Sequence, residues 1–135
     1  MDQLPEWEPG TTAALAVRGP HAIPVSTAVR VGGDRIAFAL ARTRATLERL
    51  REDPAAALVV FAPRLAFSAY GRVSVLRDEL EASSRVIALE LRVERVQDHL
   101  EGARTEILAG VSWRWTEEEA AATDEAIRAE LARLG

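Results

Sequence analysis

The stretch Ile23-Pro24-Val25-Ser26-Thr27-Ala28-Val29-Arg30-Val31-Gly32-Gly33-Asp34-Arg35-Ile36-Ala37-Phe38-Ala39-Leu40-Ala41 decides the fold. Successive side chains of a strand point to opposite faces, so a period of two in the sequence marks extended chain. From Val25 to Val31 the period is strict, with Val25, Thr27, Val29 and Val31 on one face and Ser26, Ala28 and Arg30 on the other. Gly32-Gly33-Asp34 predicts a hairpin, because glycine accepts the positive φ that tight hairpin turns need. The return strand, Arg35 to Ala41, sets Ile36, Phe38 and Leu40 on one side and Ala37, Ala39 and Ala41 on the other.

Upstream of this hairpin, Thr11 to Arg18 predicts a first strand, followed by the turn-rich Gly19-Pro20-His21-Ala22-Ile23-Pro24. Downstream the period lengthens. Thr43 is placed to cap a short helix running to about Asp53, with Leu47 and Leu50 inward and Arg44–Glu48 and Arg49–Asp53 as i,i+4 neighbours. Pro54 ends it. Ala55 to Ala62 predicts a buried strand, and Leu65 to Arg77 a long one in which Gly71 marks a bulge or bend. Arg85 to Gln97 alternates, with Ile87, Leu89, Leu91 and Val93 inward.

Residues 98–111 predict a connector, and Ser112-Trp113-Arg114-Trp115 a short extended piece. Thr116-Glu117-Glu118-Glu119 has the form of a capping box opening a helix over about 116–134 that buries Ile127, Leu131 and Leu134. The expectation is a mainly β (α+β) fold: one domain over 1–135, an antiparallel barrel core over about 11–97, a short helix after the third strand and a C-terminal helix.

Composition narrows the chemistry. With 135 residues, 48% of them apolar, the chain can bury a substantial core. A net charge of −4 without a basic block lacks the electrostatic footprint of a nucleic-acid binder. Cysteine is absent, which excludes disulfides, thiolate metal sites and cysteine nucleophiles. Lysine is absent too, so all 17 basic residues are arginine and no lysine can act as base or Schiff-base former. The acidic, proline-interrupted start does not have the form of a signal peptide, and no apolar run approaches a bilayer span. A cytoplasmic protein with no membrane partner is expected.

Four segments together resemble the pyridoxamine 5'-phosphate oxidase-like family. They are Ile23-Pro24-Val25-Ser26, Gly32 to Phe38, the helix ending Leu50-Arg51-Glu52-Asp53-Pro54, and Tyr70-Gly71-Arg72-Val73. The resemblance covers about residues 11–97. It implies a split β-barrel homodimer holding FMN or a related deazaflavin at the subunit interface, and a flavin-dependent oxidoreductase acting on a small molecule. It also implies that the phosphate is met by the turn before the short helix, through serine, arginine and lysine. Here that turn is Arg42-Thr43-Arg44-Ala45-Thr46, with Arg44 at the serine position and Thr46 at the lysine position.

Physical chemistry makes the same turn a candidate on separate grounds. A helix N-terminus presents free amides and a favourable dipole to an anion, and arginine adds bidentate hydrogen bonds. Arg42, Thr43, Arg44 and Thr46 are the candidate phosphate ligands. The bland reading is that Thr43 only caps and Arg44 only pairs with Glu48. For a planar ring and its chain the candidates are Val25, Ser26, Thr27, Ala39 and Leu40. Ser26 and Ala28, with Ala37, Ala39 and Ala41, form a face of small side chains on which a ring can lie, or which packs against another element.

Other residues carry weaker signals. Trp113 and Trp115 point the same way and either cover a ring site or fill a core or dimer interface. His21 is near the expected ring site or simply exposed, Arg72 reaches cofactor or solvent, and His99 has no partner legible in the sequence. Two isolated histidines do not make a metal site. No catalytic residue is identified. The second hypothesis is a non-catalytic binder of flavin, deazaflavin or haem on the same barrel; the third is a cofactor-free dimeric module.

Overall fold

The computed structural model describes residues 3–134, so Met1, Asp2 and Gly135 of the expected 1–135 unit lie outside the described residues. The strands are β1 (Ala13–Val17), β2 (His21–Val25), β3 (Val29–Gly32), β4 (Arg35–Ala41), β5 (Ala55–Ala62), β6 (Leu65–Arg77) and β7 (Val86–Asp98). Helix α1 (Ala45–Glu52) follows β4, and α2 (Glu118–Leu134) ends the fold. All pairings are antiparallel, in a seven-stranded sheet of order β2-β1-β5-β6-β7-β4-β3.

The continuous strand expected from Val25 to Val31 is divided. Val25 ends β2, where it pairs with Ala13, and Val29 opens β3, where it pairs with Ala37. The two strands are opposite edges of the sheet, joined through Ser26, Thr27 and Ala28 alone. Laid flat, seven strands at ~4.8 Å spacing would hold these edges about 29 Å apart. The chain from Val25 to Val29 reaches at most about 14 Å. The sheet therefore curls until its edges nearly meet, with no β2–β3 ladder to close it: a split barrel. His21 to Pro24, expected as part of a turn, instead extend as β2 because they pair with β1 beyond a tighter turn at residues 18–20, so the short helix follows the fourth strand rather than the third. Pro24 is tolerated because β2 is an edge, where a missing amide costs no ladder bond.

Two apolar clusters sit on the two faces of the sheet. Inside the barrel are Leu15, Ile36, Phe38, Leu58, Val60, Phe67 and Leu91, all essentially inaccessible. Outside it, Ile127 and Leu131 of α2 pack on Val29, Ala37, Ala39 and Ala88, with Leu134 against the same cluster. The alanine face of β4 is thus largely the seat of α2, its small side chains admitting the helix. Gly71 is where β6 shifts register against β7; a Cβ there would lie 1.9 Å from the Arg92 carbonyl oxygen. The β3–β4 hairpin turns at Gly33-Asp34 without positive φ, and an irregularity between Arg30 and Gly32 supplies the bend instead. Among the described residues no helix is long and apolar enough to cross a membrane.

Candidate functional site

The turn before α1 is built differently from its expected form. The N-cap is Arg44, with φ −68 and ψ 130 and no side-chain cap, rather than Thr43. The Arg42 guanidinium is turned to the β6–β7 connection: its Nε donates to the Ser84 carbonyl at 2.8 Å, and an Nη donates to the Asp78 carbonyl. Thr46 is fully buried, its hydroxyl 2.9 Å from His21 Nε2. Thr43 and Arg44 stay exposed. Among the described residues the Arg44 side chain has no hydrogen bond or ion pair, and Glu48 pairs with Arg51 instead. The Leu47 amide donates to the Arg44 carbonyl and the Arg44 amide to the Ala41 carbonyl, so Thr43, the Arg44 side chain and the Ala45 and Thr46 amides are the part of the turn available to an anion.

The other end of α1 is held by charge. Asp53 accepts the Ala55 amide at 3.0 Å and the Arg18 guanidinium at 3.1 Å. These bonds, the backbone one first, hold its carboxyl below the usual carboxylate value. Arg49 donates to the Arg18 carbonyl, so neither residue forms the Arg49–Asp53 pair expected from spacing.

The ring candidates divide into two groups. Val25 and Leu40 are buried in the barrel core. Ser26, Thr27 and Ala39 come together on the wall of a cavity of about 510 Å³, a size that suits a small organic ligand. The cavity is completed by Ser83 and Arg85 from the β6–β7 connection, Trp115, and the first turns of α2 with Thr123 and Asp124. Arg42, by gripping Asp78 and Ser84, fixes the connection that carries Ser83 and Arg85. Its backbone amide also donates to the Arg85 carbonyl.

Asp124 has one of the few buried carboxylates here, and sequence reasoning missed it. The Ser26 hydroxyl points at Oδ1 from 3.4 Å, and Arg128 Nε lies 3.0 Å from Oδ2 in a geometry too bent for a hydrogen bond. The signal was present: Asp124 stands at i−3 and i−7 from Ile127 and Leu131, a polar residue on the apolar stripe of α2. Glu130 is a second such residue, and its carboxylate accepts the Glu81 and Ala82 amides at 3.0 and 2.8 Å. It pins the same β6–β7 connection from the helix side.

The remaining candidates have plain positions. Trp113 and Trp115 meet edge to face with centroids 5.9 Å apart, and Trp113 donates to the Gly10 carbonyl. His99 Nε2 is 2.7 Å from the buried Ser68 hydroxyl, away from the cavity. Arg72 is exposed and contributes to the field at Asp53. No group of histidine and carboxylate suited to a metal occurs among the described residues. The cavity brings together hydroxyls, one arginine, carboxylates and an indole, with no nucleophile–base pair.

No protein-family model matches the sequence, and no curated protein sequence matches it. Solved structures do match the fold. A candidate pyridoxamine 5'-phosphate oxidase from Lactobacillus delbrueckii superposes with TM-score 0.58 at 11% identity, covering 72% of this chain and 95% of that one. HupZ of Group A Streptococcus matches with TM-score 0.57 at 8% identity over 76% of this chain and 90% of its own. An FMN-binding protein from Syntrophomonas wolfei matches with TM-score 0.51 at 15% identity, covering 68% and 78%. The chain has the split-barrel fold of the pyridoxamine 5'-phosphate oxidase-like proteins, as the four resembling segments led one to expect.

Proposed function

We propose that this chain is a flavin-binding member of the pyridoxamine 5'-phosphate oxidase-like group, with FMN as cofactor, working as an oxidoreductase on a small organic molecule. The observation that carries the reading is the cavity where Ser26, Thr27 and Ala39 converge beside Arg85. Proteins of the same fold described as FMN-binding and FAD-binding support it.

In this reading the flavin ring lies against Ser26, Thr27 and Ala39, while Val25 and Leu40 hold those positions from the core side. Thr43, the Arg44 side chain and the Ala45 and Thr46 amides meet the phosphate. Arg42 and Thr46 act indirectly, Arg42 by fixing the 78–85 connection and Thr46 by seating α1 against His21. A bound flavin supplies the hydride or electron transfer, and the protein supplies position and access. The protein is cytoplasmic and acts as a homodimer with the cofactor at the interface. Support for the dimer comes from Leu108 and Val111, 82% and 68% exposed, beside Trp113 and Trp115.

The test is an absorbance spectrum of the purified protein before and after excess FMN, with the unbound fraction removed. A retained flavin spectrum that is lost in a Thr43→Ala, Arg44→Ala variant supports the assignment. Retention of a deazaflavin or haem but not FMN changes the cofactor, and retention of none overturns the reading. Sedimentation of the same sample reports the dimer.

A further inference from the structure

We propose that Ser26 selects the flavin ring by its imide edge, because Asp124 holds the Ser26 hydroxyl as an acceptor toward the cavity; this specificity rests on the flavin-binding reading. Asp124 is buried and ion-paired with Arg128 at 3.0 Å. An ionised carboxylate accepts hydrogen bonds and cannot donate them. The Ser26 hydroxyl therefore gives its proton to Oδ1, in a long bond of 3.4 Å. Its oxygen lone pairs are what remain for a ligand in the cavity that both residues line.

The other hydroxyls on the β2–β3 crossover and on α2 have the same polarity. Thr27 donates its proton to the Ala39 carbonyl at 3.2 Å, and Thr123 donates to the Glu119 carbonyl at 3.0 Å. Both line the cavity beside Ser26, so these two elements offer a ligand acceptors alone. Donors come from elsewhere, from Ser83 and Arg85 on the β6–β7 connection and from the Trp115 indole. Ser83 Oγ accepts the Arg85 amide at 3.2 Å, which leaves its proton for a ligand. The Arg85 side chain has no hydrogen bond or ion pair among the described residues.

Charge does not choose the ligand here. Arg85 is set against Glu117 and Glu119 in the same cavity, all three exposed, and hydrogen-bond direction is left to discriminate. The oxidised flavin ring carries a single N–H, the imide group, between two carbonyls. That N–H answers the acceptor wall at Ser26, and the carbonyls beside it answer donors such as Arg85 and Ser83. The opposite, methylated edge of the ring would leave the Ser26 oxygen unpaired in a desolvated site, which is how such a site rejects a wrong edge.

The experiment measures dissociation constants for FMN and for FMN methylated at the imide nitrogen, by flavin fluorescence, with the whole chain, Ser26→Ala and Asp124→Asn. The unaltered chain is expected to bind FMN at least tenfold more tightly than the methylated form. In Asp124→Asn the Arg128 Nε–H keeps the amide oxygen on its own side. The amide nitrogen then faces Ser26 and turns the serine proton into the cavity. Both variants should bring the two flavins to within a few-fold of each other, with FMN weakened and the methylated form not. If Asp124→Asn fails to fold by circular dichroism, the near-isosteric Ser26→Ala decides alone. Equal binding of the two flavins by the unaltered chain, or a preference that survives in either folded variant, overturns the proposal and leaves the flavin reading standing. Binding of neither flavin overturns both.

Discussion

The Thr27 hydroxyl and the Ala39 backbone exchange two hydrogen bonds: the hydroxyl accepts from the Ala39 amide at 2.9 Å and donates to the Ala39 carbonyl at 3.2 Å. Val29 pairs with Ala37, so Thr27 stands where the next ladder pair of β3 and β4 would be. At that point the chain is already crossing to the other edge of the barrel, and a side chain replaces the missing strand. Both residues are buried, so neither Ala39 group has water as an alternative.

Replacing Thr27 by valine keeps the shape and removes both bonds, leaving a buried donor and acceptor unpaired. A loss of about 1–3 kcal/mol in urea denaturation is expected, and Thr27→Ser should recover most of it. Equal stability of the threonine and valine proteins would show that the crossover does not depend on this pair.

Gly71→Ala brings a methyl group against the Arg92 carbonyl oxygen, which is backbone and cannot rotate away. The β6–β7 pairing must shift, and a destabilisation of about 3 kcal/mol, the top of the usual overpacking range, is expected in the same denaturation assay.

Asp53 titrates below the ordinary carboxylate value in the folded chain because the Ala55 amide and Arg18 favour its charged form. A depressed folded value means stability that is present above the unfolded pKa and is lost as pH falls through the folded one. Asp53→Asn should therefore melt at a lower temperature than the unaltered chain at pH 7. The difference should begin to narrow near pH 4, where the unfolded carboxyl protonates, and vanish once the pH is below the lowered folded value. A gap that stays constant with pH would locate the effect in packing rather than charge.

Glu130→Ala removes the acceptor of two amides in the connection that carries Ser83 and Arg85. A stability loss of about 1–3 kcal/mol is expected, together with weaker flavin retention. Hydrogen exchange at Glu81 and Ala82 should rise before exchange in β7 does. Unchanged exchange at those amides would remove Glu130 as the clamp.

Much of the fold was legible because periodicity is a local property. β5 and β6 have the bounds expected from their apolar runs and flanking prolines, and the bend at Gly71 follows from a missing side chain. The stripe Ile127, Leu131 and Leu134 of α2 could be read from a period of 3.6. The site was legible only in part. Ser26, Thr27 and Ala39 reach a common cavity, but Arg42 and Thr46 are taken by Ser84, Asp78 and His21, residues that spacing along the turn does not reveal.

The sequence by itself determined most of the segments that extend or coil, since each depends on neighbours within a few residues; His21–Pro24, read as a turn, extends in β2 only because β1 pairs with it, and Ser112–Trp115, read as extended, carries no strand. Only the tertiary structure decided that Val25 and Val29 belong to opposite edges of the sheet, because an unbroken alternation looks the same whether or not the chain changes partners within it. That change of partners curls the sheet into a barrel. The packed barrel then places Asp124, distant in sequence, beside Ser26, and leaves Arg30 without a carboxylate partner among the described residues.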